Sequence, residues 1–122
     1  MAGKRLGPAE VESALVAHPA VAEAAAIGVP HPVKGEALWC YVVLAPGATE
    51  GDDLRAELVA TVSDALGKSF KPSEVRFVDA LPKTRSAKVV RRAIRAMATG
   101  NDPGDLSSLE DPATVEALRG AR

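Results

Sequence analysis

Aromatic side chains are scarce: Trp39, Tyr41, Phe70 and Phe77 are the only ones in 122 residues. A core must therefore be assembled from small aliphatics, and a compact domain of this length, with a radius of gyration near roughly 14 Å, leaves little room for a deep cavity. Cysteine is almost missing. Cys40 stands alone, which excludes an internal disulfide and fits a reducing compartment. Neither charge sign prevails, since 15 Lys and Arg face 16 Asp and Glu for a net charge of -1, which argues against wholesale attraction to nucleic acid or membrane. Long apolar runs are missing too. The stretch from Ala37 to Ala45 falls far short of the roughly 20 residues a membrane span needs, and the opening Met1-Ala2-Gly3-Lys4-Arg5-Leu6 has no hydrophobic signal core. A soluble, cytoplasmic protein without nucleic-acid or membrane partners is expected.

What is present is ordinary globular material. Apolar residues make up 47% and charged residues 25%, with nine prolines and ten glycines, so disordered and collagen-like chains are excluded and one domain is the natural size. Pro8 to Ala17 reads as a short helix, with Glu10 and Glu12 in its first turn and Val11, Ala14 and Leu15 sharing a face, stopped by His18-Pro19. Ala20 to Val29 is alanine-rich enough for a helix, but its confinement between Pro19 and Pro30 and the spacing of Val21, Ile27 and Val29 favour a strand. A turn over Pro30 to Gly35 then leads into Leu38 to Leu44, whose unbroken apolar character suits a central strand covered on both faces, giving a hairpin.

Leu54, Leu58, Val62 and Leu66 recur every four residues, an amphipathic helix ended by Gly67. Val75 to Asp79 reads as a third strand, Leu81 to Lys88 as a polar loop, and Val89 to Ala98 as a helix stopped by Gly100. The tail from Asn101 to Arg122 contains a weak helix around Thr114 to Leu118 and is expected to wrap the surface of a domain formed by residues 1–100. The fold expected is α+β: a small, mostly antiparallel sheet of three strands packed with helices.

Familiar catalytic sets are missing. There is no GxSxG, HExxH, paired CxxC or Walker lysine loop, and His18 and His31 sit in proline-flanked turns away from clustered acids, so no metal site is expected. Cys40 lies in the apolar run and reads as an inert buried thiol. One charge feature stands out: Lys83, Arg85, Lys88, Arg91, Arg92 and Arg95 fall between Ala80 and Gly100 with no acid between the first and the last. Such a run is either a solvated face or an anion-seeking edge. A lysine on a loop before a helix combines a long stem with a compact charge, which suits contact with a phosphate or carboxylate.

The segment Pro82-Lys83-Thr84-Arg85-Ser86-Ala87-Lys88-Val89-Val90-Arg91-Arg92 resembles the closing signature of the adenylate-forming acyl-CoA synthetases, most closely those that activate acetate. Gly3 to Glu12, His18-Pro19-Ala20-Val21, Val29-Pro30-His31, Lys34-Gly35-Glu36 and Gly104 to Leu109 extend the resemblance along the chain, which looks like the C-terminal lid domain of that family. The resemblance implies an α+β lid that rotates between two half-reactions: acyl-adenylate formation from ATP, taken with Mg2+, and thioester formation with coenzyme A. It makes Lys88 the catalytic lysine of the first step. Arg5 then contacts the adenylate in the second pose, and Gly3 leaves room for the pantetheine arm. It further implies a large N-terminal adenylation domain as partner, a hinge just before residue 1, and no activity or bound cofactor in the chain alone. Lys88 is also expected to be a site of reversible acetylation by a protein lysine acetyltransferase and a deacetylase. Two positions depart from the family pattern: Ala87 replaces a usual glycine, and Ser63-Asp64 stands where relatives carry an arginine for the coenzyme A phosphate, with Lys68 or Lys71 as candidate replacements. The alternative is a stand-alone phosphate- or coenzyme A-binding or regulatory module using the basic edge 83–95.

Overall fold

A computed structural model describes residues 8–33, 35–86, 88–101, 109–111 and 113–121. Helix α1 (Pro8–Val16) precedes strands β1 (Val21–His31) and β2 (Gly35–Leu44), helix α2 (Asp52–Leu66), a 3-10 turn at Lys68–Phe70, strand β3 (Glu74–Phe77), helices α3 (Arg91–Ala98) and α4 (Ala113–Ala117), and a closing 3-10 turn at Leu118–Gly120. Among the described residues the sheet order is β1-β2-β3, so the most apolar strand is central. β1 and β2 form an antiparallel hairpin from Val21↔Leu44 to His31↔Gly35. β3 runs parallel to β2 over Trp39↔Glu74 to Val42↔Phe77, which makes the sheet mixed although the antiparallel ladder is the longer. The reason is connectivity: two parallel neighbours need a crossover of a dozen or more residues, and α2 supplies it.

The alanine-rich segment is a strand because both its faces are buried. Ala24 and Ala26 join Cys40, Val42, Val75 and Phe77 on one face, against Val11 and Leu15 of α1 and Leu58 and Val62 of α2. Ala25, Ile27 and Val29 join Ala37 and Tyr41 on the other, against Ile94 of α3 and Leu118. Two-sided burial with period 2 overrides alanine's helix preference, and the small side chains let helices approach closely. One detail departs from the sequence pattern. A β-bulge between Val21 and Glu23 shifts the register, so Val21 lies on the face opposite Ile27 and Val29 rather than with them.

Helix α1, at nine residues, is too short to persist alone in water, where roughly 12–15 residues are the practical minimum. Burial of Val11 and Leu15, 2% and 0% exposed, holds it to the sheet, each such side chain contributing about 1.5–3 kcal/mol relative to exposure. α2 carries Asp52 and Asp53 at its positive end and stops at Gly67, whose φ of 100° suits glycine. α3 begins at Arg91 rather than Val89, because the backbones of Val89 and Val90 pair with the preceding loop. The tail buries apolar side chains: Leu109 and Val115 pack with Ala93 of α3.

Candidate functional site

The loop carrying Lys88 is a small hairpin. Lys83 and Val89 form an antiparallel bridge. The Thr84 N–H donates to the Lys88 carbonyl at 2.9 Å, and the Val90 N–H donates to the Pro82 carbonyl at 2.9 Å. Thr84 Oγ1 accepts the Lys88 N–H at 3.3 Å and lies 3.0 Å from Ser86 Oγ. Backbone groups facing one way from Pro82 and Thr84 are thus used by residues 88–90. Those facing the other way are used by the tail, where Leu109 bridges Thr84 and the Glu110 N–H donates to the Lys83 carbonyl at 2.8 Å. Pro82 is fully buried, whereas Lys88 and Arg85 are exposed.

The six cations are not one anion-seeking edge. Lys83 pairs with Glu23 of β1. Arg91 makes a two-pronged pair with Glu12 of α1, Nε to Oε2 at 2.8 Å and Nη2 to Oε1 at 2.6 Å. The bond to Glu12 holds the Arg91 guanidinium above its ordinary range. Arg91 opens α3, where the helix macrodipole disfavours a cation, and the Glu12 carboxylate offsets that penalty. Glu12 Oε2 also accepts the Ala26 N–H of the edge strand at 2.8 Å, so one carboxylate ties α1, β1 and α3 together. Both ends of the hairpin are therefore tethered to the sheet. At its tip, Lys88 and Arg85 have no carboxylate in ion-pairing contact among the described residues. Lys88 presents an ammonium on a flexible stem from a fixed backbone, an arrangement that can meet an oxyanion arriving from outside.

Other candidates fall differently. Gly3, Arg5 and Ala87 lie outside the described residues. Lys68 and Lys71 are exposed at and just after the 3-10 turn between α2 and β3. Cys40 is fully buried, and burial first, then the charge of Glu12, pushes its thiol up to about 12. His18 is not remote from acids. Its Nδ1 accepts the Ala20 N–H at 3.0 Å, and its Nε2 is in hydrogen-bond contact with the Glu57 carboxylate of α2. Sequence reasoning missed Glu12, Glu23 and the tail bridge. No local signal marked these acids, because Glu12 and Glu23 lie 79 and 60 positions from their partners and are brought to them by the fold.

A family model described as AMP-binding enzyme C-terminal domain matches residues 10–88, ending on the candidate lysine. The chain belongs to that family. Among curated relatives of this AMP-binding C-terminal domain, acetyl-coenzyme A synthetase of Desulfatibacillum aliphaticivorans is 49% identical over 120 residues, covering 97% of the chain and 19% of the relative. Acetyl-coenzyme A synthetase of Pyrobaculum arsenaticum is 49% identical over 121 residues, covering 99% and 18%. The chain thus spans less than a fifth of the length of these relatives. Among solved structures, the acyl-CoA synthetase of Brucella canis superposes with a TM-score of 0.74 at 44% identity, covering 78% of the chain and 18% of that protein. The amide bond synthetase McbA of Marinactinospora thermotolerans does so with a TM-score of 0.70 at 36% identity, covering 80% and 19%.

Proposed function

We propose that this domain is the lid of an AMP-forming acetyl-CoA synthetase working in the cytoplasm, and that Lys88 is its catalytic residue for acyl-adenylate formation. The observation that carries the reading is the hairpin itself, which holds an exposed Lys88 at its tip while Lys83 and Arg91 on either side are consumed by Glu23 and Glu12. Lys83 and Arg91 thus already face carboxylates, which weighs against a binding module built on the whole basic edge. In the first half-reaction the acetate carboxylate attacks the α-phosphorus of ATP, which arrives with Mg2+ as part of the substrate, and pyrophosphate leaves. The Lys88 ammonium orients the two anions and stabilises charge that develops between them. Mg2+ is taken here as part of the nucleotide substrate, and no residue of this chain is assigned to it. In the second half-reaction the thiol of coenzyme A attacks the acyl carbon and AMP departs, with Arg5 and Gly3 assigned to the adenylate and the pantetheine arm.

Loss of the Lys88 charge should reduce adenylate formation by roughly 100–1,000-fold, as for removal of one preorganised stabilising group. In the complete enzyme, Lys88→Ala is expected to lose pyrophosphate release while thioester formation from supplied acetyl-adenylate persists. Equal loss in both half-reactions would contradict the role. The same exposed amine is the proposed target of a protein lysine acetyltransferase, reversed by a deacetylase, because acetylation deletes the charge the step requires. Peptide mass spectrometry after incubation with acetyltransferase and acetyl-CoA, with Lys88→Arg as control, should show labelling at Lys88; labelling spread over Lys4, Lys34 and Lys68 would count against a specific switch.

A further inference from the structure

We propose that tail residues 109–110 are a strap that positions the Lys88 hairpin, with Leu109 as the positioning residue. The family model's match ends at residue 88, before this strap, whereas the alignment to the acetyl-coenzyme A synthetases covers 97–99% of the chain. Three observations converge. Segment 82–84 is the middle member of a three-segment ladder, with 88–90 on one side and 109–110 on the other. Thr84 faces both neighbours: it pairs with Leu109, while its N–H and Oγ1 engage the Lys88 carbonyl and N–H. Leu109 is 2% exposed and seated against Ala93 and Val115, with Val90 and Met97 alongside, so the outer member of the ladder is anchored to α3 and α4.

The physical consequence follows from edge exposure. Without the strap, 82–84 would pair on one side only, in a two-stranded hairpin held to the domain at its ends; with it, the segment is interior to a ladder whose far side is fixed by apolar burial. The lysine backbone is thereby placed before any substrate arrives, which is what positioning of a charged group demands. The catalytic part of the inference rests on the role proposed for Lys88. The structural part does not.

Amide hydrogen exchange on the full 122-residue chain tests it, with two variants. Leu109→Ser removes the anchor, and Glu110→Pro removes the N–H that reaches Lys83 while leaving Leu109 in place. The Thr84, Lys88 and Val90 amides should exchange about tenfold faster or more through local opening, with amides at Ala24–Ile27 and Cys40–Val42 unchanged; Leu109→Met should restore protection. Unchanged hairpin amides, or hairpin and sheet amides accelerating in step, would overturn the strap. If Leu109→Ser does not fold, Glu110→Pro decides alone. In the complete enzyme, Glu110→Pro should lower kcat for adenylate formation severalfold, with the KM for ATP and the thioester step unaltered. Loosened amides with unaltered adenylation, in an enzyme that Lys88→Ala inactivates, would overturn the catalytic part. Adenylation that survives Lys88→Ala would instead refute the lysine's role and leave the exchange result to judge the strap.

Discussion

The sheet with α1 and α2 and the hairpin that carries Lys88 are held by different forces. In the first region, fully buried Leu15, Val42, Leu58, Val62 and Phe77 close on one another, and no polar side chain is buried among the described residues. In the second, an exposed lysine sits on a ladder of backbone hydrogen bonds, with ion pairs at Lys83 and Arg91 and a tail on its outer side. Burial sets whether the domain exists, and directional contacts set where one ammonium lies. Changes in the first region should therefore act on stability throughout, and changes in the second on position, with small global cost.

The largest expected effect breaks the first region. Phe77 is 1% exposed, beneath Arg55, whose guanidinium lies 4.9 Å above the ring and whose Nε donates to the Val75 carbonyl at 2.8 Å. Phe77→Ala should cost about 3–5 kcal/mol, read as a lower midpoint in urea for sheet and hairpin signals together. A loss below about 1 kcal/mol would mean that the core can collapse around the gap.

Cys40 sharpens the same contrast from inside. With its thiol raised from 9.0 to about 12, the thiolate fraction near pH 8 falls by roughly a thousandfold relative to the unfolded chain. Alkylation should therefore be nearly silent in the folded domain and rapid in urea. The sign of the linkage is fixed: the folded state retains its proton between the two values, so this contribution to stability is full below pH 9 and is lost as pH rises toward 12. Fast native labelling at pH 8 would show the sheet to be open at its centre.

Much of the first region was legible in the residues because its signals are local and periodic. The four-residue spacing through Leu66 and the apolar run through Leu44 translate directly into α2 and β2. The bulge at Val21/Glu23 was not legible, since a register shift is decided by how partners fit and leaves no trace in one strand's pattern. At the site, the motif marked Lys88, but nothing near it in the chain announced Glu12 or Glu23. Ion pairs across 79 and 60 positions are set by the fold and not by spacing. The β3 direction was not read from the residues, where a mostly antiparallel sheet was expected; a helix between two strands leaves room for a parallel crossover, and the pairing showed it.

Glu12 is where the two regions meet, so its removal tests whether they can be separated. Its side chain is 15% exposed and serves both Arg91 and the Ala26 N–H. Glu12→Ala should cost about 1–3 kcal/mol, chiefly from leaving the Ala26 donor and the Arg91 cation unsatisfied. Glu12→Gln, which retains a hydrogen-bond acceptor, should cost less. Equal losses in the two variants would mean that charge alone matters and that the edge-strand N–H contributes nothing.

The smallest expected effect belongs to Lys83 and Glu23, whose side chains are 32% and 37% exposed. Solvent screens such a pair, and the net contribution of exposed ion pairs is about 0–1 kcal/mol. Lys83→Met keeps the apolar stem and removes only the charge, so the unfolding midpoint should barely move, and the remaining difference should vanish in high salt as the wild-type pair is screened. The hairpin backbone should stay paired, because the Lys83 carbonyl still receives the Glu110 N–H and Thr84 still reaches Lys88. A loss above about 2 kcal/mol would place this pair among the contacts that hold the core, and the division between a region built by burial and a region built by direction would fail at that point.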